Sequence, residues 1–87
     1  MLYKVYVLYA TEHDKLFTGM TTSLSDRMEA HNSDVAEDWT TAYKPWTLIH
    51  MELFNSESDA IIRESFLESE GGQQYLRENV LPLFEFA

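Results

Sequence analysis

Three polar side chains stand where amphipathic helices would place apolar ones. Arg27 and His31 lie four residues apart in LSDRMEAH, and Glu64 lies in DAIIRESFLE. On a helical wheel at about 100° per residue, with Leu24 at zero, Met28 falls near 40°, His31 near −20° and Arg27 near −60°. The apolar stripe therefore contains His31 and is bordered by Arg27. An arginine there either reaches toward a ligand or packs its stem and keeps its head in water. On the second helix Glu64 shares a stripe with Ala60 and Leu67, while Ile62 and Phe66 populate another side. A carboxylate in that position needs a partner, because burying it unpaired is costly. Its chemistry is that of a divalent-metal ligand or a general acid/base, unless an intramolecular ion pair or a solvated edge accounts for it. Tyr6, with Lys4 and Leu8 beside it on one strand face, reads by itself as a packing residue.

The composition narrows the chemistry further. The chain has 87 residues, enough for one domain with one modest core, over residues 1–87. There is no cysteine, which removes disulfides, thiolate zinc sites and cysteine nucleophiles. His13, His31 and His50 have no zinc-ligand spacing. No Gly-rich phosphate loop is present. The chain begins with the alternating run MLYKVYVLY and holds no long apolar segment, so the expectation is a cytoplasmic protein outside the membrane. Fifteen acids oppose six bases, a formal net charge of −9. Such a surface repels nucleic acid unless its bases are concentrated, and these six are spread along the chain. The acidity fits a solvated surface, a salt-adapted source, or a patch for a basic protein partner.

The elements that must position these side chains follow from local pattern. YKVYVLY alternates β-branched and aromatic residues as a strand does. TEHDK is a polar turn and LFTGM a second short strand, so residues 3–20 form a hairpin, with Gly19 ending the strand or admitting another backbone. Thr22 or Ser23, with Asp26 three residues after Ser23, starts a helix over about 24–31. Residues 32–45 form one long polar connection where mobility is expected. WTLIHMELF is the third strand. Ser56 or Ser58 caps a second helix running to about Ser69, Gly71-Gly72 break it, and QQYLRENVL forms a short last helix before Pro82. The order is β-β-α-β-α-α, an α/β (α+β) fold with a small three-stranded antiparallel sheet flanked by helices.

These segments together resemble the GIY-YIG nuclease superfamily, in particular its small stand-alone members related to the excinuclease C-subunit catalytic domain. KVYVLY resembles the first motif, with Val5-Tyr6 for its "IY", and LFTG resembles the second, with Phe17-Thr18-Gly19 for "YIG". The pattern G-x-T-x-x-L-x-x-R-x-x-x-H is filled by Gly19, Thr21, Leu24, Arg27 and His31. YKPWTLIHMELF resembles the third strand of the family, SESDAIIRESFLES its glutamate helix, and GGQQYL its terminal element. The resemblance spans about residues 3–80. It implies a metal-dependent endonuclease that hydrolyses DNA phosphodiester bonds, in DNA repair or processing, with one Mg²⁺ or Mn²⁺. It makes Tyr6 the catalytic tyrosine, helped by a nearby base, Arg27 the phosphate clamp and His31 the polar residue one turn on. Glu64 becomes the metal ligand, and Gly19 and Thr21 the substrate-binding positions. Arginine matches phosphate oxygens with its planar fork, and a carboxylate suits a hard cation.

The chain also departs from the pattern. Phe17 occupies the second-motif tyrosine and has no proton to exchange. Met20 stands where excinuclease relatives carry a lysine. Glu68 and Gln73 stand where small relatives carry lysine and arginine. Asn79 is only a loose counterpart of the C-terminal asparagine of other branches. These changes imply the alternative of a catalytically weakened binding or interaction module.

Overall fold

Alternation along the first strand decides which side of the sheet each residue serves. In the computed structural model, which describes residues 1–33 and 39–84, β1 (Tyr3–Ala10) is the central strand. It pairs antiparallel with β2 (Lys15–Thr21) on one side and β3 (Thr47–Phe54) on the other. Val5 and Val7 face one layer, where they are buried with Ile49, Ala60, Leu67, Leu76 and Val80. Tyr6, Leu8 and Ala10 face the opposite layer, with Trp46, and with Phe17, Leu24, Met28, Tyr43 and Leu48 packed around them. A strand buried on both faces reads as a near-continuous apolar run, which is what VYVLYA is.

The hairpin and the two longer helices form where the sequence places them. The first helix, α1 (Leu24–His31), has Ser23 as its N-cap residue. The Ser23 side chain makes no capping bond. Its hydroxyl donates to the Asp26 carboxylate at 2.9 Å, and Thr21 Oγ1 accepts from the Ser23 amide at 3.0 Å. Asn32 ends the helix and anchors it: its amide accepts from Trp46 N at 2.7 Å and donates to Trp46 O at 3.3 Å. Of the long connection 32–45, residues Trp39–Tyr43 form a 3-10 turn, and 34–38 lie outside the described residues, as does that part of the expected mobility. The Lys44–Pro45 peptide is cis.

α2 (Glu57–Glu68) is capped by the Ser56 hydroxyl, which accepts from Asp59 N. It is fastened to β3 by Arg63, whose Nε donates to both Glu52 oxygens at 3.0 and 3.1 Å. The glycine pair does not break the helical region. Ser69 does, with extended backbone, and its hydroxyl caps the next helix, α3 (Glu70–Tyr75), by accepting from Gly72 N. Gly72 lies against the end of α2, where a Cβ would collide with the Phe66 carbonyl and the Leu67 backbone. The glycine therefore permits a close turn between two helices, and α3 starts earlier than its propensities suggest. A wide π turn (Leu76–Val80) and a 3-10 turn (Leu81–Leu83) follow. No described helix is long and apolar enough to cross a membrane.

Candidate active site

Tyr6 and His31 meet inside the layer between the sheet and α1. The Tyr6 hydroxyl lies 3.0 Å from His31 Nε2, and His31 Nδ1 lies 2.8 Å from Thr40 Oγ1. Both rings are 1% exposed. In a neutral imidazole one nitrogen donates and the other accepts. The tautomer that donates from Nδ1 to Thr40 leaves Nε2 to accept the Tyr6 proton. Thr40 is itself held in place, because its carbonyl accepts from Trp46 Nε1 at 2.7 Å. Thr40 is the residue that sequence reasoning missed. It comes from the polar connection, where no pattern distinguishes one threonine from the next.

Two motif positions, Gly19 and Phe17, pack against this pair. Gly19 is the ladder partner of Tyr6, and a Cβ there would lie 2.6 Å from the Tyr6 hydroxyl and 2.9 Å from Phe17 Cε1. The space over Gly19 is thus filled by the Tyr6 ring and is not open to a passing nucleic-acid backbone. Gly19 also does not end its strand, which continues to Thr21. The Phe17 ring lies 4.6 Å from the His31 ring and 6.1 Å from that of Tyr6, between centroids. Thr21 shapes the strand-to-helix junction through Ser23, as described above. Arg27 is half-buried one turn before His31, on the same side of α1, which fits its place at the border of the stripe.

Glu64 comes from the other layer, on α2. It is half-buried, and among the described residues it has no hydrogen-bond or ion-pair partner. Burial raises its pKa above the ordinary carboxylate value, and the charge of Glu68, one turn on, raises it further. Glu68 in turn lines a pocket with Phe17 and Thr18 of β2, the outer strand beside the Tyr6 pair. No group of three metal-ligating side chains gathers among the described residues. A carboxylate that lacks a partner beside a second carboxylate fits an ion such as Mg²⁺, which keeps much of its water and uses one or two protein ligands. Met20 turns toward the helix layer and packs on the core there. Asn79 is exposed and donates back to the Tyr75 carbonyl, apart from this cluster.

The other bases do not build a cationic face. Arg63 pairs with Glu52 and Arg77 with Asp14, at 2.8 Å for the latter. Lys4 and Lys44 donate to the carbonyls of Thr22 and Ser33, and Lys15 lies over the Tyr43 ring.

Comparison with known proteins shows the family of the chain. Residues 2–76 match the GIY-YIG catalytic domain. A UPF0213 protein of Staphylococcus haemolyticus is 32% identical over 73 residues, covering 84% of this chain and 88% of the relative. A UPF0213 protein of Haloquadratum walsbyi is 32% identical over 81 residues, 93% of this chain and 84% of the relative. The solution structure of a UPF0213 protein from Bacillus halodurans superposes with a TM-score of 0.58 at 24% identity, over 95% of this chain and 90% of that one. That likeness concerns the fold: a three-stranded antiparallel sheet flanked by helices. The chain belongs to the GIY-YIG catalytic domain family and is similar to its small UPF0213 proteins.

Proposed function

We propose that this protein is a divalent-metal-dependent endonuclease that hydrolyses phosphodiester bonds in DNA. The observation that carries the reading is the 3.0 Å contact between the Tyr6 hydroxyl and His31 Nε2. A phenol is a weak base while it holds its proton. A neutral imidazole at hydrogen-bond distance can accept that proton, and the phenolate can then draw one from water. Thr40 fixes the imidazole, and Phe17 and Trp46 keep the pair dry on one side. Arg27, one turn away on the same helix, offers a planar fork for the oxygens of a phosphate. Glu64 and Glu68 would hold Mg²⁺ or Mn²⁺. Such an ion, when bound, supplies positive charge that stabilises the phosphoryl oxygens and the leaving group.

A second reading is favoured by a specific observation. The Tyr6 hydroxyl is enclosed, and its neighbour at the second motif is Phe17, which cannot exchange a proton. On that reading the domain binds nucleic acid, or a basic protein, with cleavage weakened.

One assay separates the two. Purified protein is incubated with duplex, forked and single-stranded DNA, with Mg²⁺ or Mn²⁺, at two salt concentrations. The nuclease reading expects metal-dependent nicking that Arg27→Ala and Glu64→Ala abolish. Absence of cleavage by the wild type, with cleavage gained in Phe17→Tyr, would establish the weakened form. Absence of both cleavage and metal binding ends the nuclease reading.

A further inference from the structure

Trp46 holds His31 from two sides. The helix of His31 ends at Asn32, whose side-chain amide grips the Trp46 backbone. Its Oδ1 accepts from Trp46 N at 2.7 Å, and its Nδ2 donates to Trp46 O at 3.3 Å. The Nδ1 partner of His31 is Thr40, and the Trp46 indole donates from Nε1 to the Thr40 carbonyl at 2.7 Å. These contacts close a ring that runs from His31 through Asn32, Trp46 and Thr40 back to His31 Nδ1. The end of α1 and the turn Trp39–Tyr43 are thereby set against one residue just ahead of β3.

The placement of Thr40 matters because a neutral imidazole has two forms. With hydrogen on Nδ1, Nε2 can accept the Tyr6 proton. With hydrogen on Nε2, the ring donates to the Tyr6 oxygen and can accept nothing there. The second form is the commoner one of an unconstrained imidazole. A hydroxyl can donate or accept, so neither Tyr6 nor Thr40 alone decides between them. Together they do. A phenol is a much stronger acid than an alkyl hydroxyl, so it is the better donor to the ring, and the threonine oxygen is the better acceptor. Tyr6, His31 and Thr40 are each 1% exposed, so water does not stand in for either partner. If Thr40 moves away, an Nδ1 hydrogen is left buried without that acceptor, which is costly, and the ring gains by donating from Nε2 to Tyr6 instead.

We propose that Trp46 and Asn32 are positioning residues that keep His31 in the form able to take the Tyr6 proton. Trp46 acts through Thr40, and Asn32 acts by tying the end of α1 to Trp46. Asparagine suits its place because one side-chain amide both donates and accepts, matching the N–H and C=O of a single residue. The inference rests on the nuclease reading, in which the Tyr6 proton must leave through His31.

The test reads the imidazole directly, without DNA or metal. Long-range nitrogen–proton correlation spectra of isotope-labelled protein show which ring nitrogen of neutral His31 carries the hydrogen. In the wild type Nδ1 should have the shift of a protonated nitrogen and Nε2 that of a bare one. Trp46→Phe keeps an aromatic body in the core and deletes the indole donor. The Nε2 signal should then move to the protonated position and the Nδ1 signal to the bare one. Asn32→Ala, at an exposed position, leaves the core in place and should move both signals part of the way in the same direction. Lys44→Ala is the control. It cuts another tie at this junction, from Lys44 Nζ to the Ser33 carbonyl at 3.1 Å, which lies outside the ring, and it should leave the wild-type pattern. Chemical-shift dispersion checks the fold of each variant, and Asn32→Ala carries the test if Trp46→Phe does not fold. A wild type with its hydrogen on Nε2 overturns the proposal. So does a wild-type pattern retained in folded Trp46→Phe or in Asn32→Ala, or an equal movement in Lys44→Ala. The expected pattern without cleavage under any metal removes only the nuclease reading. Cleavage by a wild type with hydrogen on Nε2 removes only this inference.

Discussion

Gly19 lies opposite Tyr6 in the β1–β2 ladder, and a single methyl group there would intrude to 2.6 Å from the Tyr6 hydroxyl and 2.7 Å from its ring carbon. The neighbours cannot yield cheaply, because Tyr6 is fully buried and hydrogen-bonded to His31. Gly19→Ala should therefore destabilise the fold by about 1–3 kcal/mol, the usual cost of overpacking. Urea unfolding checks this. An unchanged midpoint would mean that the Tyr6 ring moves freely, which its burial contradicts.

Tyr6→Phe removes one oxygen and leaves His31 Nε2 without its partner. The expected loss is roughly 1–3 kcal/mol. The fold should survive, with native chemical-shift dispersion, while cleavage is lost. Cleavage at the wild-type rate in this variant would exclude Tyr6 as a proton-transfer group.

Glu64 gives a pH dependence with a definite sign. Its folded pKa is raised above 4.5 by burial and by the charge of Glu68. The folded state therefore holds a proton that the unfolded state has released. Stability from this group is present below the unfolded pKa and is lost as pH rises through the folded pKa. At neutral pH without metal, Glu64→Gln should melt slightly higher than wild type and lose the pH dependence above 4.5. Added Mg²⁺ should raise the melting temperature of wild type by mass action and leave that of Glu64→Gln unchanged. Equal responses of the two proteins to Mg²⁺ would remove Glu64 from the proposed metal site.

Thr18→Val keeps the shape of the side chain and deletes the hydroxyl that has no partner among the described residues. Replacing an unsatisfied buried polar group by an apolar one should stabilise the free protein by about 1 kcal/mol. Chemical denaturation measures it. A destabilised variant would show that a bound water or a neighbour satisfies Thr18 in solution.

The sequence made much of this legible through period and spacing. The alternation of residues 3–9 located β1, while its burial on both faces appears only in the structure. The wheel placed Leu24, Met28 and His31 together, and they share the layer that holds Tyr6. Other features depend on contacts that no local pattern encodes. Gly71-Gly72 reads as a breaker because glycine disfavours helices, yet packing against the end of α2 makes glycine necessary at one of the two positions. Thr40 enters the His31 bond only because the turn Trp39–Tyr43 packs against α1. Phe17 is far in sequence from Glu68 and Gln73, and only the approach of α2 and α3 to β2 brings them to one pocket.

β3 has a wider consequence. It is an outer strand, no described residue pairs with its free edge, and Leu53 on it is 52% exposed. An open apolar edge is a template for further strands. Mutual repulsion between molecules carrying a net charge of −9 opposes such stacking. Near the isoelectric point, about pH 4.5, that repulsion vanishes while the edge remains. The acidity that makes DNA binding harder is then also what keeps the protein dispersed, and acidification should drive colloidal self-association before it unfolds the domain.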